Sequence, residues 1–387
     1  MKKKLLFLSL LSVSSLFQAQ NRNYAIVTGA PFLRISPDAR SGGMGDQGVA
    51  TSPDAFSQYW NPSKYSFNTS YSGLGVSYTP YMNKLTNDVF LLNGTFYTFL
   101  GEEERSTLSA SVYYFNMGEI QLNELMGNNI VEKGISKPNE FSIDVAYGLK
   151  LADVYSMAVT ARYIRSDLFN NVDNSYAQTK AANTFAVDVT GYFQSEKGSS
   201  FSGYEGRWRA GWGIFNMGPK LDYSNSSQNS SYLPTQLRLG GGYDLYFDED
   251  NKLGLTVEAS KLLVPAPEKM TDPDGAVYYQ IPDKSFLSGM FSSFGNKDVG
   301  KEITYSIGAE YTFKNAFAFR TGYFHESPEK GARQYITLGA GLKYQSFGID
   351  FSYLITTASI NNALDNTLRF GLTWDFGGES SNATENY

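Results

Sequence analysis

The side chains best equipped for chemistry in this chain are charged groups set among apolar neighbours. Asp144, Arg162, Asp188, Arg238, Glu258, Glu310, Arg320, Asp350 and Arg369 each adjoin at least one apolar residue. Carboxylates held in pairs do general acid–base work. Interleaved with arginines, as here, they instead point to a lattice of ion pairs and hydrogen bonds, and no carboxylate pair stands out. Gly43-Met44-Gly45-Asp46-Gln47-Gly48 has the spacing of a dinucleotide loop, but that chemistry needs a strand feeding a helix N-terminus. A Pro-Asp turn precedes it here and Ser52-Pro53-Asp54 follows. Asp272-Pro273-Asp274-Gly275 lacks the remaining ligands of a calcium loop and reads as a β-turn. His325 is the only histidine and there is no cysteine, so neither a zinc site nor a catalytic triad can be assembled. These motifs call for no cofactor and no metal.

The alternating charges need elements with a period of two. From Thr367 to Phe376, Leu368, Phe370, Leu372, Trp374 and Phe376 share one face, and Thr367, Arg369, Gly371, Thr373 and Asp375 share the other. Glu140–Lys150, Lys301–Thr312 and Phe347–Thr357 repeat the pattern. Noisier segments begin near Tyr71, Asp88, Arg105, Val154, Thr184, Arg207, Gln236, Leu253, Ala316 and Arg333. Four clear segments and ten noisier ones make fourteen, an even count, as a closed bacterial barrel with both ends in the periplasm requires.

Connection lengths follow the same logic. Leu151-Ala152-Asp153, Lys314-Asn315 and Gln345-Ser346 are short, whereas Asn116–Asn139, Ser166–Ala182, Met217–Leu233 and Val264–Gly300 are long. Gln194–Gly206 falls on the short side without being tight. The expected fold is therefore all-β, a transmembrane antiparallel β-barrel of fourteen strands with apolar side chains toward lipid and charge toward the lumen.

Composition agrees. Aromatic residues make up 15% of the chain, with 28 Tyr and 27 Phe, which suits interfacial girdles. No run after the first residues approaches the about 20 apolar residues of a membrane helix. Met1–Ala19, with Lys2, Lys3 and Lys4 ahead of an apolar run, reads as a secretory signal peptide. Its removal takes Lys+Arg from 32 to 29 against 38 Asp+Glu, a net charge of −9 that argues against a nucleic-acid partner.

Between export signal and barrel lies a stretch that sustains neither period. Arg34–Pro62 is punctuated by Pro37, Gly42, Gly43, Gly45, Gly48, Pro53 and Pro62, so its backbone must turn repeatedly. A compact irregular segment ahead of a barrel is expected to plug it. The expected organisation is residues 1–19 signal, 20–69 plug, 70–376 barrel and 377–387 tail. Arg34, Asp38, Arg40, Asp46 and Asp54 are placed to join the lumen lattice, and Asp38, Arg40, Asp46, Trp60 and Asn61 are the expected plug anchors. In the longest loop, Asp283 is expected to cap a helix presenting Phe286, Leu287, Met290, Phe291 and Phe294 on one face, either as a lid or as a docking surface. Asn116-Met117-Gly118 and Asn216-Met217-Gly218 read as turn signals.

The plug followed by the barrel pattern resembles the FadL-like outer-membrane barrels, whose Asn-Pro-Ala signature reads Asn61-Pro62-Ser63 here. It is more similar to the PorV family, the FadL-like component of the type IX secretion system of Bacteroidetes. That resemblance rests on Pro31-Phe32-Leu33, Ile35–Arg40, Gly42–Asp46, Gly48–Thr51, Asp54-Ala55, Trp60-Asn61-Pro62, Phe215–Lys220 and Ser288–Phe291. It implies an outer-membrane protein that is not an enzyme. Such a protein binds cargo leaving the SprA translocon through the cargo's C-terminal domain and passes it to the PorU sortase, a pathway on which gliding motility depends in many of these bacteria. The rival reading is a FadL-type channel for hydrophobic small molecules.

Overall fold

A computed structural model describes residues 25–82, 88–126, 129–168, 180–199, 203–223, 230–272, 274–296, 298–358 and 366–383. The expected signal peptide lies outside these residues. Fourteen long strands form one antiparallel sheet: β1 (Ser70–Pro80), β2 (Val89–Leu100), β3 (Ser106–Met117), β4 (Asn139–Ala152), β5 (Tyr155–Asp167), β6 (Ala182–Gln194) and β7 (Glu205–Met217). They are followed by β8 (Gln236–Tyr246), β9 (Asn251–Leu262), β10 (Ile303–Phe313), β11 (Phe317–His325), β12 (Gln334–Tyr344), β13 (Phe347–Thr356) and β14 (Leu368–Glu379). Neighbours in sequence pair throughout, and β14 pairs back onto β1, with Val76 opposite Leu372, so the sheet closes. Closure leaves no sheet edge in hydrocarbon, where an unpaired peptide group costs several kcal/mol.

The period of two decides which way each side chain points. Ile143, Val145 and Tyr147 of β4 face outward, while Ser142, Asp144 and Ala146 are buried inside. In β14, Leu368, Phe370, Leu372 and Trp374 are exposed to the membrane and Arg369 is 1% accessible. Both barrel ends, Ser70 and Glu379, lie on the side of the short turns, which is the periplasmic side of such barrels. The last strand runs past the expected boundary at Phe376, because Gly377 and Gly378 take φ of 83° and 89° and carry it round to Glu379. The loose connection after β6 contains a short pairing of Gly198–Ser199 with Glu205–Gly206.

Residues 31–69 occupy the lumen as short turns joined by irregular backbone, Pro31–Arg34, Ala39–Gly42, Ser57–Trp60 and Pro62–Phe67, while Ile26 and Gly29 lie against the outer-loop residues Tyr232, Val264 and Leu221. Nearly all residues from Ser36 to Phe67 are buried. The glycines of the dinucleotide-like stretch serve close approach instead of phosphate binding. A Cβ on Gly43 would meet the Gly339 backbone at 3.0 Å, and Gly45, at φ 81°, lies against the backbone of Tyr323. Toward the outer end, Phe32, Tyr59 and Trp60 of the plug pack with Tyr113 and Phe115 of the wall into the largest apolar cluster.

Candidate functional site

The plug is tied to the wall by buried polar contacts. Asp38 caps the Ala39–Gly42 turn, accepting from the Ser41 amide at 2.8 Å, and its other oxygen accepts from Trp60 Nε1 at 2.7 Å. Arg40 forks onto Glu310 of β10 with two bonds of 2.9 Å and also reaches Asp54 at 2.6 Å and Ser52. Asp46 accepts from Tyr335 at 2.6 Å and pairs with Arg369 of β14 at 3.0 Å. Asn61 donates to the carbonyls of Val49 and Gly191 and accepts from the Ser63 amide. The five expected anchors are thus all inside the lumen. Arg34, expected with Asp38, Arg40, Asp46 and Asp54 to join the lumen lattice, sits higher, 3.5 Å from Glu326 at the mouth.

The wall's own charges form the expected lattice. Arg162 bridges Asp144 and Asp188 on its two neighbouring strands, and Arg320 bridges Glu310 and Asp350. Glu258 accepts from the plug amides of Gly48 and Val49 at 2.8 and 2.9 Å. Arg238 differs. Its Nε and Nη2 donate to Gln236, and its guanidinium lies about 5 Å from the rings of Tyr59, Trp60 and Phe215.

At the mouth, mostly beyond the strand ends, lies a second charged group. Glu326 pairs with Arg333 and Arg34, and buried Glu302 with Lys261 and Lys330. Burial alone would raise the Glu326 pKa, but Arg333 and then Arg34 outweigh it and hold the carboxyl below its ordinary value. Above these pairs opens a vestibule of about 750 Å³ between the plug top and the loops after β1, β3 and β11.

The outer loops carry the exposed apolar surface. A hairpin of Ile120–Met126 with Asn129–Ser136 stands apart from the barrel sheet and presents Leu125 at 72% and Ile130 at 74% exposure. The helix Phe286–Ser292 exposes Leu287 and Phe291, and Phe294 follows in the next turn, while Met290 is buried and Phe286 half-buried. The predicted single face is therefore split, with Gly289 and Met290 turned inward and Gly289 against Tyr232 and Pro265. Ser285, not Asp283, caps this helix, because the Asp283 carboxylate is drawn to Lys220. The Gly275 amide donates to the Asp272 carbonyl at 3.0 Å, the bond of a β-turn, and the Asp272 carboxylate supports it by accepting from the amides of Asp274 and Ala276. Among the described residues no cluster of metal-ligating groups occurs.

A barrel with a lumen-filling N-terminal segment and built-up outer loops can be compared with known proteins. The family model described as type IX secretion system protein PorV matches residues 17–269. The chain belongs to the PorV family. No curated protein matches it. Among solved structures, the toluene transporter TbuX of Ralstonia pickettii is similar at TM-score 0.52 and 12% identity, covering 89% of this chain and 100% of that one. The toluene transporter TodX of Pseudomonas putida gives TM-score 0.52 at 8% identity, covering 88% and 98%. At such identities the likeness is one of fold. The family match and the closed barrel place this PorV-family chain in the outer membrane as a component of the type IX secretion system.

Several of the residues that build this site were not singled out by sequence reasoning. Arg209 and Asp244 form a doubly bonded buried pair at 2.8 and 2.9 Å; both alternate correctly in their strands, and only the register of β7 on β8 brings them together. Asn216 is more than a turn signal. At φ 56° it makes a bulge in β7, its amide donates to Asp188 at 2.6 Å, and its side chain bonds Arg162 and the Pro234 carbonyl.

Proposed function

We propose that this protein is the carrier component that binds cargo through its C-terminal signal domain as it leaves the SprA translocon and delivers it to the PorU sortase. The observation that supports this reading is the contrast between lumen and rim. The lumen is filled by a plug held through charge-assisted hydrogen bonds, whereas the rim displays apolar side chains on an isolated hairpin and a short helix. Exposed apolar patches of this kind mark sites of protein contact, and a lone two-stranded hairpin is only marginally stable without a surface to lie on. In this reading Phe286, Leu287, Met290, Phe291 and Phe294 shape a partner-binding loop, and Asp38, Arg40, Asp46, Trp60 and Asn61 keep the plug seated. Residues 1–19 direct export, and the protein binds partners without acting as an enzyme.

The test is a mild-detergent isolation of the protein from its own membranes, with co-purifying proteins identified by mass spectrometry and bound lipids extracted. Recovery with a very large barrel protein, or with secreted proteins that share one C-terminal domain, supports the carrier. Recovery alone with stoichiometric fatty acid moves the assignment to a channel for hydrophobic solutes.

A further inference from the structure

The floor of the outer vestibule leads into a chamber of about 40 Å³, and the two share Arg34, Gln236, Ser260, Thr304 and Arg333. The chamber is bounded on the plug side by Ser36, Tyr59 and Trp60. Arg238 Nη1 and the Ser36 hydroxyl are buried here without a hydrogen bond of good geometry, the Tyr59 hydroxyl beside Arg238 being committed to the Leu33 carbonyl. A buried donor left unmade costs about 1–3 kcal/mol, more when charged, so their retention at one spot calls for an acceptor. The aromatic rings around Arg238 fix its guanidinium and prevent it from swinging away to find one.

Charge points the same way. The chamber walls and their direct ion-pair partners comprise Arg34, Arg238, Arg333 and Arg369 against Asp46, Glu258 and Glu326, an excess of one positive charge. Asp188, which also feels Arg238, is already paired with Arg162. The chamber is the size of a small anionic group, and the vestibule above it is within the range of ligand-sized pockets. The vestibule wall is apolar along Ile26, Phe32, Val89 and Phe115 but polar along Gln236, Thr304 and Lys330. An alkyl chain has nothing to offer that polar side, whereas a polypeptide end brings apolar side chains and amides together.

We propose that the chamber receives the terminal carboxylate of a polypeptide whose last residues occupy the vestibule, with Arg238, Arg34 and Ser36 as its donors. This rests on the cargo-carrier reading and names the part of the cargo that the barrel grips. Arginine suits the task because its planar N–H groups match a carboxylate, and capture of a chain's terminal carboxylate is an established mode of peptide recognition.

The experiment uses the full-length protein in lipid nanodiscs and two forms of one probe, the dye-labelled C-terminal domain of a protein secreted by the same cells, ending in a free carboxylate or in a carboxamide. Amidation is expected to weaken binding at least tenfold. Arg238→Gln should weaken the acid form to a similar extent and leave the amide form unchanged. If Arg238→Gln fails to give a heat-modifiable barrel, Arg34→Gln, at the edge of the chamber, takes its place. Acid and amide binding within twofold of each other would overturn the proposal while leaving the carrier reading intact. Binding of neither form, with saturable binding of dodecanoic acid that Arg238→Gln abolishes, would assign the chamber to a fatty acid and overturn both.

Discussion

Replacing Arg40 by alanine should convert an electrically silent barrel into one that flickers open. In the lumen Arg40 gives two bonds of 2.9 Å to Glu310, one of 2.6 Å to Asp54 and others to Ser52. Glu310 keeps Arg320 when Arg40 is lost, but the Asp54 carboxylate retains only the hydrogen bond donated by the Ser57 hydroxyl within the plug. Removing one partner of a buried ion pair costs about 3–5 kcal/mol, and every 1.4 kcal/mol is tenfold in population. The loosened plug should therefore be populated about 10²- to 10⁴-fold more often than in the unmodified protein. Arg40→Lys, which keeps the charge but loses the planar fork, should fall between the two. The assay is single-channel recording in planar bilayers, on protein whose heat-modifiable migration confirms an intact barrel. A folded Arg40→Ala barrel as silent as the parent would refute the assignment of this cluster as the plug's anchor.

Phe291→Ser with Phe294→Ser removes exposed rings and should lower secretion severalfold with no change in barrel stability, while Met290→Ser, on the buried side of the helix, should destabilise the loop as well; unchanged secretion in the double variant would remove this loop from the binding surface. Gly211→Ala places a Cβ 1.9 Å from the Val49 carbonyl oxygen of the plug, so it should reduce the yield of heat-modifiable barrel or open the channel, and a silent barrel in normal yield would count against the packing described. Because the folded Glu326 pKa is depressed, its pairing stabilises the 326–333 loop above the ordinary glutamate value of about 4.3 and is lost as pH falls through the lower folded value. Protease protection of this loop should thus persist below that pH in the parent and fail at a higher pH in Arg333→Gln; identical profiles would sink the reasoning.

The barrel was legible because a lipid-facing sheet leaves a rigid mark on sequence. Every outward position of β14 from Leu368 to Trp374 is apolar and every inward one is small or polar, so strand count, facing and loop rhythm could be read without contacts. The helix cap was misread for a local reason, since Asp283 is an able cap and nothing near it in sequence shows that Lys220 claims it. The pairing of Arg209 with Asp244, and the hold of Asn216 on both Asp188 and Arg162, depend on register and on a bulge, which a period of two cannot report. The plug was recognisable as irregular and turn-rich, but its route through the lumen is set by contacts hundreds of residues away.

One corner of the molecule carries a consequence for how it is made. The Ser380 amide donates to the Thr69 carbonyl at 2.8 Å, its hydroxyl to Asn68, and Asn382 reaches the carbonyls of Ser66 and Asn68, beside the pairing of Ser70 with Glu379. The exit of the plug and the seam that completes the sheet are thus stitched by the same few residues. A chain whose N-terminal segment has strayed would forfeit these bonds beside the seam, leaving its closure to the pairing of the first and last strands alone. Seating of the plug and completion of the wall are thereby coupled at one point, so the last contacts of the interior and of the sheet form together.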